Sequence, residues 1–113
     1  MEVITNSDGL LRRIIIHPSH IKPDNTISSF AFKPRKVDVD GLSVDLERLT
    51  TPEVAIVDRT KFRLARLQAS VPLSLGLICI HTPKTDNPAH SLIRGNFTQS
   101  MCRQLASSAI FVI

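Results

Sequence analysis

Residues 98–109, TQSMCRQLASSA, decide the class of fold. This is the one segment of the chain in which apolar residues clearly recur with helical spacing. They fall on a single face, which is formed by Met101, Cys102, Leu105, Ala106 and Ala109. A helix with one apolar face is stable when that face packs on another layer of structure. The pattern therefore predicts a helix from Thr98 to Ala109 and a second layer that supports it.

The other apolar segments are short and have the composition or the alternation of strands. We predict strands or extended segments at residues 10–16, 26–32, 42–47, 59–71, 75–80, 91–93 and 110–113, and a short helix after Thr51. The nearly continuous apolar run at 75–80 is the best candidate for a central strand. Together these elements predict an α+β fold in a single domain over residues 1–113. The predicted architecture is a small, mostly antiparallel, curved sheet of five to six strands with one C-terminal helix packed on it.

The composition is that of a folded, basic protein. The chain has 113 residues, of which 42% are hydrophobic and 21% are charged, and this argues against a disordered chain. The formal net charge of +4 favours anionic partners. The two cysteines lie in apolar surroundings, which favours reduced core thiols over a disulfide framework. No apolar run has the ~20 residues that span a bilayer, and the N-terminus lacks a signal-peptide pattern. We therefore expect a cytoplasmic protein with no membrane association.

Four histidines lie at the ends of apolar segments or in turns. They are His17, His20, His81 and His90. Imidazole titrates near neutral pH, so His17, His20 and His90 are candidates for proton transfer. Arg94 follows His90 closely and is a candidate for stabilising negative charge on a phosphate. The alternative is that these histidines cap strand ends by bonding to backbone carbonyls.

Three polar residues are candidates for positioning a phosphate-bearing ligand: Ser28, Ser29 and Asn87. Neither serine lies in the Gly-x-Ser-x-Gly pattern of a nucleophile elbow. The catalytic interpretation requires that folding bring these groups, the histidines and Arg94 into one water-accessible hollow.

Basic residues form two groups. The first is Arg59, Lys61 and Arg63, which alternate as if on one strand face, and the second is Lys33, Arg35 and Lys36. A stripe of this kind is typical of a surface that binds a phosphate backbone, so we count Arg59, Lys61 and Arg63 as ligand-binding candidates. The alternative is an exposed edge strand whose charges prevent pairing with another chain.

Signatures of metal and cofactor sites are missing from the chain. The histidines lack the Cys-rich spacing of structural zinc sites, and Cys79 and Cys102 lie in apolar patterns that make thiols inert. The four glycines form neither a Walker A loop nor a dinucleotide-binding turn. We expect no metal and no cofactor.

Several strings of the sequence resemble a group of small uncharacterised bacterial proteins. They are HPSHIKPD (17–24), SSFAF (28–32), GLSVD (41–45), LTTPE (49–53) and DNPAHSLI (86–93). The resemblance extends over most of the chain, to about residue 109. It implies a single intact domain of bacterial type, and it carries neither an activity nor functional residues with it.

These observations predict a small basic intracellular domain that binds a phosphate-bearing ligand, either RNA or a nucleotide. In the catalytic version of this hypothesis, the domain is a metal-independent nuclease. The alternative is a non-catalytic, antitoxin-like subunit that binds a protein partner. Its support is the apolar segment 110–113, which could pair along the edge of another sheet. The sequence leaves open whether the protein is an enzyme.

Overall fold

The computed structural model describes residues 1–113 and contains one curved sheet of six antiparallel strands. The strands are β1 (Gly9–Ile15), β2 (Leu42–Leu46), β3 (Phe62–Gln68), β4 (Ile78–His81), β5 (His90–Arg94) and β6 (Ile110–Phe111). Their order across the sheet is β4-β5-β2-β1-β3-β6. The predicted α+β class and the antiparallel sheet are confirmed.

Three α-helices and two short 3₁₀ helices complete the fold. They are α1 (Pro52–Ala55), α2 (Ser70–Ser74) and α3 (Gln99–Ser108), with the 3₁₀ helices at Ser29–Phe32 and Glu47–Leu49. The helix predicted near the C-terminus is confirmed, because α3 begins after the N-cap Thr98 and ends before Ala109. Thr51 caps α1 in the same way, as its sequence predicts.

One face of the sheet carries the main core. Opposite residues of paired strands share a face, so Leu10 of β1 lies beside Leu46 of β2 and Leu67 of β3. All three are buried, and they pack in one cluster with Leu105 of α3 and Phe32 of the first 3₁₀ helix. The apolar face of α3 is therefore covered by the sheet and by that 3₁₀ helix.

The other face of the sheet is only partly covered. Leu11 and Leu64 point to this face and form a small buried cluster with Ala55 and Ile56, at the end of α1. The strand register also places Asp45 and His90 on this face, since Leu11 lies opposite Asp45 and Asp45 lies opposite His90. Beyond the small cluster, this face is therefore polar.

The strand predicted at residues 26–32 does not form. Ile27 makes an isolated bridge to Ile21, and residues 29–32 fold into a 3₁₀ helix. The side chain of Ser28 accepts a hydrogen bond from the backbone N–H of Phe30, at 3.2 Å, which stabilises the start of this helix. A hydroxyl that bonds to nearby backbone competes with strand pairing. Burial of Phe32 then holds the turn against the core.

The central strand predicted at residues 75–80 is an edge strand. It begins only at Ile78 and pairs with β5 alone. Before it, helix α2 takes residues 70–74, where the sequence favoured extended structure, and Pro72 lies within its first turn. Gly76 has a φ of +83°, a conformation that glycine adopts without strain and that redirects the chain into β4.

Replacing the N-cap Thr98 with Ala should lower the free energy of unfolding by about 1 kcal/mol, because the Thr98 hydroxyl accepts the N–H of Met101. Urea denaturation measures the change. Ser108→Ala, at an exposed position of the last turn, is the matched control and should change stability by less than about 0.5 kcal/mol. Equal losses in the two variants would contradict this role of the cap.

Candidate functional site

A cleft of about 650 Å³ next to β1 gathers positive charge. Five cationic side chains line it, together with one histidine and one carboxylate. These residues are Arg12, Arg13, Lys33, Arg35, Lys36, His20 and Asp38. We call this the basic cleft. Its walls also include the rings of Phe30 and Phe62.

Arg12 is fixed in the wall of the basic cleft. Its Nε donates to the carbonyl of Ala31 at 2.8 Å, and its Nη1 donates to the carbonyl of Ser43 at 2.7 Å. The guanidinium carbon lies 5.6 Å from the centroid of the Phe32 ring. Burial lowers the pKa of Arg12 to about 10, so the side chain keeps its charge at neutral pH. These contacts leave Nη2 free to bind a ligand.

An exposed aromatic ring lies among the cations. The side chain of Phe30 is 56% exposed, and the Lys33 ammonium lies 5.4 Å from its centroid. The ring of His20 packs against the same Phe30 at 6.1 Å, edge to face. An aromatic ring flanked by cations can stack on a nucleobase while the cations contact phosphate.

One acid partly neutralises the basic cleft. Asp38 accepts hydrogen bonds from the backbone N–H of Arg35 at 2.7 Å and from its Nε at 3.2 Å. The side-chain hydrogen bond from Arg35 is the main cause that lowers the pKa of Asp38. Asp38 is the only carboxylate in the lining, so the basic cleft keeps an excess of positive charge.

His20 lines the basic cleft and lies next to His17, which is not part of the lining. The hydroxyl of Ser19 bridges them, with its Oγ 2.7 Å from Nδ1 of His17 and 2.9 Å from Nδ1 of His20. The two rings are 6.5 Å apart. Burial is the main cause that lowers the pKa of His20, and the nearby charges of His17, Arg12 and Arg35 lower it further. His20 is therefore mostly neutral at pH 7 and can accept a proton.

A second cleft, of about 320 Å³, lies on the partly covered face of the sheet between α1 and the loop before β5. We call it the polar cleft. Asp45 is only 4% exposed at its floor and accepts a hydrogen bond from Nδ2 of Asn87 at 2.8 Å. Nη1 of Arg13 lies 3.4 Å from the other oxygen of Asp45 and also donates to the carbonyl of Ala55. The polar cleft adjoins the basic cleft, because Arg13 and Ser43 line both.

His90 lies in the polar cleft with both ring nitrogens occupied. Nδ1 lies 3.1 Å from the carbonyl oxygen of Thr82 and 2.9 Å from its hydroxyl. Nε2 lies 3.3 Å from the hydroxyl of Ser43. His81 is also buried, and its contacts are with backbone atoms of Glu2 and Pro88. His81 therefore caps the end of a strand by bonding to a backbone carbonyl, which was the alternative to a role in proton transfer.

The predicted catalytic residues do not meet in one hollow. His20 lines the basic cleft and His90 the polar cleft, whereas Arg94 lines a third cleft and donates to the carbonyl of Asp40 at 2.9 Å. Only His17 and His20 are brought side by side. The long-range register of the strands, which local sequence does not encode, separates the others.

The predicted ligand-positioning residues are also distributed. Ser28 caps the 3₁₀ helix, and Ser29 accepts a hydrogen bond from Gln99 of α3 at 3.2 Å in a fourth cleft. Asn87 lies in the polar cleft, where its Nδ2 donates a hydrogen bond to Asp45.

Arg59, Lys61 and Arg63 do not share a strand face. Arg59 and Lys61 are exposed in the turn before β3, and only Arg63 lies in the strand. Arg63 donates to Oδ1 of Asn25 at 2.9 Å, and its guanidinium stacks 3.7 Å from the centroid of the Phe111 ring. The second predicted basic group, Lys33, Arg35 and Lys36, is the one that gathers around a single cleft.

Four residues that were not predicted as site residues shape the clefts: Arg12, Arg13, Ser43 and Asp45. A signal for the arginines exists, because two adjacent charges interrupt the apolar run of β1. Successive strand residues point to opposite faces, so such a pair puts one cation on each face of the sheet. Ser43 and Asp45 alternate with apolar residues and look like an ordinary solvated strand face.

Three further observations bear on the class of protein. None of the helices has the length and apolar character that crossing a bilayer requires. No three His, Cys, Asp or Glu side chains come together as a metal-binding group. Comparison of the chain with protein-family models, with curated proteins and with solved structures gave no match. The functional argument therefore rests on the side chains of the two clefts.

Replacing Asp45 with Ala should lower the free energy of unfolding by about 2–4 kcal/mol. The change leaves Arg13 and Asn87 without the buried carboxylate that they share, and unpaired polar groups are costly in a shielded site. Chemical denaturation measures the loss. Asp86→Ala removes an exposed acid from the same cleft and is the control, expected to change stability by about 0.5 kcal/mol or less. A similar small effect of both variants would show that the Asp45 contacts add little.

Proposed function

We propose that this protein binds a phosphate-bearing ligand, RNA or a nucleotide, in the basic cleft. The observation that carries the proposal is the presence of five cationic side chains and a single carboxylate around one cleft. Burying or crowding like charges is unfavourable in an empty protein, and an anionic ligand relieves the repulsion. The chain as a whole has a formal net charge of +4, which would also draw an anion towards it.

Arginine geometry favours phosphate as the anion. A guanidinium presents a planar fork of donors that matches two phosphate oxygens. The Arg12 guanidinium is already held by two backbone carbonyls, so little side-chain freedom is lost when a ligand binds to it. Lys33 and Lys36 are exposed at the rim of the basic cleft and have no ion-pair partner. These two lysines are available to contact further phosphates of an RNA chain.

The aromatic side chains favour an unpaired nucleic acid over a duplex. Phe30 offers an exposed ring next to Lys33, and Phe62 offers a second ring in the same cleft. Stacking of one base contributes about 1–3 kcal/mol and is available only when the base is not already stacked in a helix. The volume of about 650 Å³ lies in the range of small-ligand sites, so a nucleotide or one segment of RNA would fit.

A catalytic form of the proposal is metal-independent cleavage of RNA with His20 as the general base. The imidazoles of His17 and His20 flank the hydroxyl of Ser19, and His20 lines the basic cleft. The lowered pKa of His20 keeps that imidazole neutral at pH 7. General acid–base cleavage of a phosphodiester needs one group that accepts a proton and one that donates it. Arg12 would stabilise the additional negative charge on phosphorus.

The alternative of a protein-binding subunit has less support. Its basis was the apolar C-terminal segment, but that segment pairs within its own sheet. The N–H of Val112 donates to the carbonyl of Leu64 at 2.9 Å, and the N–H of Leu64 donates to the carbonyl of Ile113 at 3.1 Å. Because these backbone groups are occupied, the C-terminal segment leaves only the outer edge of β6 for a partner.

The double variant Lys33→Gln/Lys36→Gln should bind a short fluorescein-labelled oligouridylate at least about tenfold more weakly than the unaltered protein. Each lost contact between a cation and a phosphate removes ~1.5 kcal/mol or more. Fluorescence anisotropy measures the affinity, and the slope of log K against log salt should become shallower by about 1 or more. Competition with a mononucleotide of uridine then shows whether one phosphate suffices or a chain is needed.

The matched control is Arg59→Gln/Lys61→Gln. It removes the same charge from the exposed turn before β3, outside the basic cleft. We expect its affinity to stay within about threefold of that of the unaltered protein, because neither side chain lines the basic cleft and salt screens exposed charges that do not contact the ligand. Equal weakening by the two double variants, or no binding of either probe by the unaltered protein, would refute the proposal.

His20→Gln should slow cleavage of the same oligonucleotide, assayed in EDTA, by about 10²-fold or more while leaving its affinity within about threefold. Cleavage by the unaltered protein should be slower at acid pH, because protonated His20 cannot accept a proton. Since the pKa of His20 is lowered, the loss of rate should be centred below pH 6.5. Cleavage that needs a metal, or that is unchanged in His20→Gln, would eliminate the catalytic form and leave the binding proposal standing.

A further inference from the structure

We infer that the polar cleft is a second site, in which Ser43 is a nucleophile activated by His90, and that it accepts a carboxylic ester with a small apolar acyl group. This inference is independent of phosphate binding in the basic cleft. It rests on the placement of a serine and a histidine on the neighbouring strands β2 and β5 and of a backbone carbonyl, that of Thr82, just after β4.

The sheet register brings the two side chains together. Asp45 of β2 lies directly opposite His90 of β5, and Ser43 lies two residues before Asp45 on the same face. The diagonal between Ser43 and His90 is short enough for contact, and Oγ of Ser43 lies 3.3 Å from Nε2 of His90. The pair is therefore held by paired strands rather than by a mobile loop.

The other ring nitrogen of His90 contacts Thr82. Nδ1 lies 2.9 Å from the Thr82 hydroxyl and 3.1 Å from the Thr82 carbonyl oxygen, which can only accept a hydrogen bond. In the proposed mechanism His90 is the tautomer that carries its hydrogen on Nδ1 and donates it to that carbonyl. Nε2 then has a free lone pair and accepts the hydrogen bond from the Ser43 hydroxyl. A nucleophile, a base and a group that orients the base thus follow one another in the order that hydroxyl activation requires.

The exposure of the two residues suits these roles. His90 is 8% exposed, so bulk water is largely kept from the base, whereas Ser43 is exposed and can be reached by a substrate. Arg13 lines the same cleft and makes its hydrogen bonds through Nη1 only. Its Nε and Nη2 are available to stabilise the negative oxygen of a tetrahedral intermediate.

The rim of the polar cleft carries a strained valine. Val57 has a φ of +66°, a left-handed conformation that is unfavourable for a β-branched residue. The N–H of Asp58 donates to the carbonyl of Ile56 at 2.7 Å and closes a tight turn around it. Val57 is 75% exposed, and Val54 of α1 is 69% exposed, so two apolar side chains lie in water in the cleft that Ser43 and His90 also line. Strained residues of this kind cluster at binding sites. A small apolar acyl group would cover both valines.

The reaction then proceeds in two steps. Oγ of Ser43 bonds to the ester carbonyl carbon as its proton passes to Nε2 of His90. The carbon–oxygen bond of the leaving alcohol breaks, and that alcohol takes the proton from His90. Water, deprotonated by the same Nε2, then attacks the acyl-serine, so that the carboxylic acid leaves and Ser43 recovers its hydroxyl. No other reactant is needed.

The test uses the full chain and p-nitrophenyl butyrate, which is neutral and carries no phosphate. We expect release of p-nitrophenol, a mass increase of one butyryl group in the intact protein, and a modified peptide in which Ser43 carries the group. Ser43→Ala should abolish the acylation at this position. Ser74→Ala, which removes an exposed serine that has no histidine contact, should leave the rate unchanged.

His90→Gln tests the base and should slow acylation of Ser43 by about 10²-fold or more. If this variant does not fold, the solvent deuterium isotope effect on acylation of the unaltered protein replaces it, because removal of the Ser43 proton by a general base should slow the reaction in D₂O. Attachment of the butyryl group to a lysine instead of Ser43, no acylation at all, an acylation rate that His90→Gln leaves unchanged, or a rate that is equal in H₂O and D₂O would overturn the inference.

Discussion

The guanidinium of Arg12 is the contact on which both the fold and the basic cleft depend. It joins β1 to β2 through the carbonyl of Ser43 and to the first 3₁₀ helix through the carbonyl of Ala31. Paired residues between β1 and β2 extend only to Leu11, so beyond that point Arg12 replaces the missing backbone hydrogen bonds. A charged group can occupy this partly buried position because Nε and Nη1 donate to carbonyl oxygens and the guanidinium carbon lies 5.6 Å from the centroid of the Phe32 ring.

Arg13, the next residue, makes the polar cleft on the opposite face. Neighbouring strand residues point in opposite directions, and one dipeptide therefore supplies a cation to each side of the sheet. Arg13 holds the carboxylate of Asp45 and the carbonyl of Ala55, so it links β1 to β2 and to α1. It also lines both clefts, as Ser43 does, and this shared boundary means that a ligand in one cleft alters the electrostatic field in the other.

The parts of the structure that sequence predicts well are those that neighbouring residues determine. Helix α3 is one, because its cap and its apolar face lie within a dozen residues of one another. Residues 26–32 show the opposite case: their alternation is that of a strand, yet the Ser28 hydroxyl and the burial of Phe32 favour a 3₁₀ helix. Residues 75–80 are apolar enough for a central strand, but α2 and Gly76 leave only their last part for pairing.

The candidate site follows the same rule. Lys33, Arg35 and Lys36 are close in sequence, and they were identified as a basic group that the fold keeps together. Contact between Ser43 and His90 spans 47 positions and depends on the register of β2 against β5. A shift of one residue would turn one of the two side chains to the other face, and nothing in the local sequence of either strand specifies the partner. The same dependence explains why His17, Arg94 and His90 were expected together but lie apart.

Positive charges repel one another in the basic cleft. Burial is the main cause that lowers the pKa of His20, and the charges of His17, Arg12 and Arg35 act in the same direction, because a further positive charge beside them is unfavourable. Asp38 offsets part of the repulsion through Arg35, but it also holds the loop of residues 35–38 in place beside the rim. A ligand that binds only the folded state stabilises that state by mass action. In the proposed complex, a phosphate group among Arg12, Lys33 and Lys36 would therefore reduce the repulsion among the cations and raise the stability of the fold.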